Sequence, residues 1–237
     1  MSNVVEMSAV TFHWPGKGAF GLSIESFALP ERRKVLLLGP SGSGKSTFLS
    51  LIAGIVVPRS GRISLKGTNL TGLSASARDR FRAEHIGVIF QMFNLLPYAS
   101  LADNVLLPLS FAPARRARAG RDHRPEQEAR RLLERLGLES SIIDKRQAAE
   151  LSVGQQQRVA AARAIIGRPD LVIADEPTSA LDRNRQQAFL DLLFGEVEAA
   201  GATLMMVSHD ETLGSRFDQV LRLDEIAAPL SMVETAR

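Results

Sequence analysis

Residues 39–47 read Gly39-Pro40-Ser41-Gly42-Ser43-Gly44-Lys45-Ser46-Thr47, which fits the pattern G-x-x-x-x-G-K-[ST]. Each position has a task if the ligand is a chain of phosphates. Glycines let the backbone curl until successive N–H groups point inward as an anion nest. A helix opening in the loop adds the partial positive charge of its N-terminus. Lys45 brings an ammonium to the β- and γ-phosphates. Ser46 offers a hydroxyl to Mg²⁺, and Thr47 adds a phosphate contact. A second constellation is Asp175-Glu176, directly after the apolar run Leu171-Val172-Ile173-Ala174. A carboxylate at the end of a strand neighbouring such a cradle holds the Mg²⁺ shell, and Asp175 has that place. Glu176 can take a proton from an attacking water, an effect worth ~10²–10⁴-fold in rate.

A third constellation is Leu151-Ser152-Val153-Gly154-Gln155-Gln156-Gln157-Arg158. Ser152 with Gln155 three positions later fits a capping box, so a helix starts at Ser152. A helix start with serine and glycine is a second anion site. A chain with one cradle needs no second within itself.

These residues require elements to hold them. Val35-Leu36-Leu37-Leu38 is a short continuous apolar run, as suits a strand buried on both faces, and it leads into the cradle. Thr47–Ala53 reads as the helix behind the cradle, closed by Gly54. Residues 4–27 alternate as antiparallel strands, with a turn starting at Trp14-Pro15-Gly16. Arg62–Leu65 and Val88–Phe90 read as further strands. From 94 to 167 the pattern is helical, ending in a helix over 155–166. Strands return at 171–174, 204–207 and 220–223, with a helix over 184–199 between the first two. Strand–helix alternation at both ends around a helical block predicts an α/β core with an inserted helical subdomain. The division is 1–93 and 168–224 for the core, 94–167 for the helical part, and a patternless tail over 225–237.

Ala114–Arg124 carries five arginines. It reads as a solvated loop or helix end, with a patch facing anionic lipid headgroups as the sharper alternative. Arg163, Arg168 and Arg183 read as surface or interface pairs. The four histidines, His13, His85, His123 and His209, have no metal-ligand spacing, so no zinc is expected.

Composition limits what the constellations can belong to. The chain has 237 residues and no cysteine, which excludes a disulfide framework, a thiolate metal site and a cysteine nucleophile. With 29 basic and 26 acidic residues the net charge is +3, no footprint for nucleic acid. The longest apolar runs fall far short of the ~20 residues that span a bilayer. The start, Met1 to Glu6, has no basic n-region or long apolar stretch of a secretory signal. The expected place is the cytoplasm, and any membrane work needs another subunit.

On the cradle, the carboxylate pair and above all the Leu-Ser-x-Gly-Gln element, the sequence resembles the ATP-binding subunits of ABC transporters over nearly its whole length. The resemblance implies the ABC ATPase fold: a P-loop NTPase core with a mixed sheet, an N-terminal antiparallel β subdomain and an inserted helical subdomain. It implies ATP and Mg²⁺ as cofactors. Two cassettes would meet head to tail, with Ser152, Gly154 and Gln155 of one copy closing on ATP in the cradle of the other. By the same resemblance Gln91 is the Q-loop glutamine, which senses Mg²⁺ and the membrane partner. Ser179-Ala180-Leu181-Asp182 is the D-loop, and His209 is the switch histidine on the γ-phosphate. Trp14 is the aromatic that stacks on adenine, with Phe12 as its rival. ATP-driven closure would pull on a separate permease through the region of Gln91 and the helical subdomain, on the inner face of the membrane.

Two positions depart from the family pattern. Val153 stands where the family usually has glycine; the first turn of a helix keeps its φ negative, so near-normal geometry is expected. Asp224-Glu225 stands where Asp-Gly is usual, which should alter a surface hairpin only. The stretches 91–97 and 100–109 are similar to the branch serving lipoprotein release and macrolide-type export. The resemblance leaves two alternatives open: an ATP-driven regulator of a permease-like partner that controls an envelope enzyme, and import of small polar solutes. A soluble member acting on DNA or ribosomes is disfavoured by the length and the lack of cysteine.

Overall fold

The structure is a computed structural model that describes residues 2–16, 20–122, 124–179 and 181–230. Along the chain the strands are β1 (Asn3–His13), β2 (Gly21–Pro30), β3 (Lys34–Leu38), β4 (Ser60–Leu65), β5 (Thr68–Asn69), β6 (Ile86–Ile89), β7 (Leu171–Asp175), β8 (Thr203–Ser208), β9 (Gln219–Arg222) and β10 (Ala228–Leu230). The α-helices are α1 (Lys45–Ile52), α2 (Ala75–His85), α3 (Leu101–Leu106), α4 (Pro113–Ala119), α5 (Pro125–Arg135), α6 (Ser140–Lys145), α7 (Val153–Ile165), α8 (Arg183–Ala200) and α9 (Leu223–Ile226). Two compact units result. One comprises Met1–Glu31, Val35–Asp79 and Val207–Arg237, the other Arg32–Lys34 and Arg80–Met206.

The first unit holds an antiparallel sheet in the order β10-β2-β1-β4-β5. Alternation in β1 buries Val5, Met7, Val10 and Phe12 and leaves Glu6 and Ser8 exposed. The register slips between Ser8 and Thr11. There Ala9 has φ 49°, and Ala9 O lies only 2.3 Å from where a Cβ on Gly61 would stand. Only glycine fits that close approach. In the same unit β3 is buried from Val35 to Leu38, as its continuous apolar run predicts, and pairs in parallel with β9.

The tail is a correction to the sequence reading. Residues 223–226 form helix α9 where a hairpin is expected, and Ala228–Leu230 pair with Ser23–Gly21 at the edge of β2. Three residues are too few for a periodic signal; the open edge of β2 supplies the partner. Pro229, which has no N–H to donate, is tolerated there because β10 is itself an edge strand. Residues 231–237 lie outside the described residues.

In the second unit β6 pairs in parallel with β7, from Ile86 opposite Leu171 to Ile89 opposite Ala174, and β8 follows on the other side of β7. The strand expected over 88–90 is shifted: Phe90 lies past its end and is part-exposed. Helix α7 packs against β6 backbone to backbone. A Cβ at Gly87 would stand 1.9 Å from Ala164 O. Alanines 160, 161 and 164 keep that face of α7 thin. Buried Glu196 on α8 takes Arg131 at 3.1 Å and Arg135 at 3.0 Å, tying α5 to α8.

The arginine-rich stretch gives a second correction. Arg116, Arg121 and Arg124 are exposed, as a solvated helix end and loop require, but α4 turns Arg115 inward. Arg115 is 1% exposed and donates to five backbone carbonyls: Ile166 at 2.7 Å, Ala83 at 3.1 Å, Ile86 at 3.0 Å, Arg163 at 3.4 Å and Ala164 at 2.7 Å. Its neighbour Arg118 donates to Gly167 O and Glu84 O. The Glu84 carboxylate accepts the first N–H groups of α4, from Ala114 and Arg115. Burial lowers the Arg115 guanidinium to about 10, with Arg118 acting in the same direction and Glu84 against it. It therefore stays charged at neutral pH. These carbonyls close the C-terminal ends of α2 and α7, where a cation is favoured by the helix dipole.

An Arg115→Met variant should lower the urea midpoint by the equivalent of about 3 kcal/mol or more, because several buried carbonyls lose their donor at once. Equilibrium denaturation checks this, and an unchanged midpoint refutes it.

Candidate functional site

The cradle residues follow the C-terminal end of β3 in the first unit. Gly42 and Gly44 have φ 79° and 102°, and these left-handed turns curl the loop. Helix α1 starts at Gly44 with no side-chain cap and no acidic residue in its first turn. The N-terminal end of a helix carries partial positive charge and favours an anion there. Lys45 is buried and folds back, Nζ donating to Gly39 O at 2.6 Å and Pro40 O at 2.8 Å. Ser43 Oγ is buried with no hydrogen-bond partner among the described residues. A curled backbone, an uncapped helix start, a folded-back ammonium and an orphaned hydroxyl fit a phosphate chain. Ser41 is exposed at the loop tip, and Ser46 and Thr47 lie in the first turn of α1.

Trp14 joins the cradle from the end of β1. Its indole Nε1 donates to Thr47 Oγ1 at 3.1 Å, and its ring meets Phe12 edge-on at 5.1 Å. Of the two aromatics, Trp14 is 40% exposed while Phe12 is buried, so Trp14 is the one that can offer a face to a ligand. His209 also belongs to this unit and follows the end of β8. Beside it, Ser208 Oγ accepts from Asp210 N at 3.0 Å.

The other candidates stand in the second unit. Asp175 ends β7, and Gln91 follows β6 by two residues. With Ile89 opposite Ala174, the amide and the two carboxylates leave the same end of neighbouring parallel strands. Such carboxyl ends are where open α/β sheets place ligands. Glu176 has φ 44°, a left-handed backbone that costs a non-glycine residue of order 1–3 kcal/mol. That strain fixes the direction in which its carboxylate leaves the strand.

Ser152 caps α7 in a full box: its Oγ accepts from Gln155 N at 3.4 Å, and Gln155 Oε1 accepts from Ser152 N at 2.9 Å. Val153 opens the helix without a positive φ, as expected, and is 50% exposed. Gly154 lies beside Leu181, whose Cδ2 is 3.9 Å from where a Cβ on Gly154 would stand. Asp182 caps α8, accepting from Arg185 N at 3.0 Å. Ala180 lies outside the described residues, as does His123.

One residue near Gln91 escapes the sequence reading. Arg163 is no surface pair: it is 8% exposed and donates to Phe93 O and, at 2.7 Å, to Asn94 O. Both acceptors have left-handed backbones, with φ 56° and 50°. A signal was present, since Arg163 stands inside Val159-Ala-Ala-Ala-Arg-Ala-Ile-Ile166, which leaves no polar face to carry it. By contrast Arg168 does pair at the surface, with Asp122 at 2.8 Å.

With this geometry in place, comparison with known proteins is informative. The ABC transporter family matches residues 22–179. The chain is 42% identical over 213 residues to the ABC transporter ATP-binding protein YbbA of Escherichia coli K12, covering 88% of this chain and 89% of that one. It is 38% identical over 227 residues to the lipoprotein-releasing system ATP-binding protein LolD 1 of Caulobacter vibrioides, covering 95% and 94%. Among solved structures it is similar to the dimeric ATP-binding cassette MJ0796 in a post-hydrolysis state bound to ADP and Pi. That match has a TM-score of 0.75 at 31% identity, over 92% of this chain and 93% of the other.

The strain at Glu176 makes a prediction that needs no ligand. Glu176→Gly should raise the urea midpoint by the equivalent of about 1 kcal/mol, since glycine adopts this backbone freely. A lowered midpoint would show that the carboxylate's own interactions outweigh the strain.

Proposed function

We propose the function of this chain from one premise: it belongs to the ABC transporter family. It is an ATP-binding cassette and an ATPase, it dimerises, and it powers a transporter whose permease is a separate membrane subunit. No helix among the described residues is long and apolar enough to cross a membrane. We place it on the inner face of the cell membrane, held there by the permease. We assign residues 94–167 to the helical subdomain and 1–93 with 168–224 to the core.

The observation that carries the reading is the curled, uncapped start of α1 with Lys45 folded onto its carbonyls. ATP enters with its phosphates on backbone N–H groups of the Gly39–Thr47 loop, Pro40 having none to give, and its adenine on Trp14. Lys45 then exchanges the two carbonyls for phosphate oxygens, a stronger charge-assisted contact. By the family resemblance Ser46, Asp175 and Gln91 would each offer a hard oxygen ligand of the kind that suits Mg²⁺. The ion, when bound, offsets charge on the β- and γ-phosphate oxygens. Glu176 accepts a proton from the water that attacks the γ-phosphorus. The bond to the β-phosphate oxygen breaks, leaving ADP and inorganic phosphate. His209 donates to the γ-phosphate and, with Lys45, holds the charge that spreads over it. Ser152, Gly154 and Gln155 of a second copy close the site from the γ-phosphate side, so hydrolysis removes the bridge between two copies and lets them part. The relation to LolD 1 and the sequence style of 91–109 favour export or lipoprotein release as the work done.

Glu176→Gln should form a stable dimer at saturating Mg-ATP and hydrolyse at least ~10²-fold more slowly than wild type. A monomeric E176Q beside an active wild type refutes the sandwich. Lys45→Ala should lose about 10–100-fold in ATP affinity, as expected for one charge-assisted bond of about 1.5–3 kcal/mol. Unchanged binding removes Lys45 from its role. Capture on tagged E176Q from its native membrane should bring down a four-helix permease with a large periplasmic domain. A many-helix permease with a binding protein would move the reading to import, and only soluble partners would overturn it.

A further inference from the structure

Helix α7 reaches β6 and the Gln91 loop at three places. At the start of β6, Arg115 spans Ile86 O and the carbonyls of Arg163, Ala164 and Ile166 at the end of α7. In its middle, Gly87 lets Ala164 O approach to a distance that no side chain permits. Past its end, Arg163 holds Phe93 O and Asn94 O. Gln91 itself sits in the turn closed by Phe93 N on Phe90 O at 3.0 Å, and Asn94 N donates to Met92 O at 2.6 Å. Two successive left-handed residues are poorly determined by local preference. The planar guanidinium, with both its amino groups engaged, defines their carbonyl directions. A lysine ammonium offers a point charge without that fork.

We infer that Arg163 is the positioning residue of the Gln91 loop. The inference rests on the reading of Gln91 given above. Arg163 touches no nucleotide; it acts through the backbone that carries Gln91.

The test is a double-mutant cycle on the full chain with steady-state ATP hydrolysis and separate ATP-binding measurements. Arg163→Met should lower kcat about tenfold with ATP affinity unchanged, because the cradle lies elsewhere in the chain. Arg163→Lys should recover part of that loss. In a Gln91→Ala background, Arg163→Met should cost no more than about a further twofold, since the residue acts through Gln91. Independent losses that multiply, or a wild-type kcat in R163M beside an impaired Q91A, overturn the positioning role alone. A wild-type kcat in Q91A overturns the reading of Gln91 and this proposal with it. Should R163M fold poorly, the R163K and Q91A pair gives the same cycle.

Discussion

A phosphate chain is bound by backbone N–H groups only where the backbone has not already spent them on itself. The rest of this chain is arranged around that constraint. Helix starts carry the positive end of the helix dipole, and the candidate anion contacts sit where α1 begins after Gly44 and α7 begins after Ser152. Acceptors are left over at helix ends, and there the chain brings cations inward. Arg115 takes four closing carbonyls of α2 and α7 and the first carbonyl of β6. One helix, α7, thus has its negative pole neutralised by a buried guanidinium.

Much of the chemistry is legible because it is local. The cradle, the Asp175-Glu176 pair and the Ser152 box each lie within nine consecutive residues, and their constraints are met by neighbours in sequence. The strands that position them, β3 and β7, announce themselves as short apolar runs. Arg115 and Arg163 are not legible in that way. Their acceptors lie tens of residues away, and nothing near Arg115 distinguishes it from the four arginines around it. Arg163 differs, since a lone cation in the otherwise apolar, alanine-rich stretch 159–166 has to find a buried partner. The strand β10 escapes because pairing with β2, not its own residues, makes it a strand.

Of the seven non-glycine residues with left-handed backbones among the described residues, three lie beside the candidate site. Glu176, Phe93 and Asn94 all have left-handed backbones without being glycine. Glycine at these places would adopt the angles freely and also leave them freely. A constrained residue gives one direction, provided something nearby enforces it, and for Phe93 and Asn94 that is Arg163. Val153 is the opposite case: a branched residue at a site usually given to glycine, at no conformational cost, because a helix's first turn suits it.

The pairing of β10 on β2 also bears on what the edge of this sheet offers to other chains. An uncovered strand presents a row of unused donors and acceptors that templates pairing with another chain, the first step toward ordered aggregates. Along Gly21–Ser23 that row is occupied from within the same molecule. What faces outward in its place is a three-residue strand interrupted by Pro229, a poor template for further addition. Shortening the chain ahead of Ala228 would therefore remove a guard against self-association while leaving every residue of the proposed nucleotide site in place.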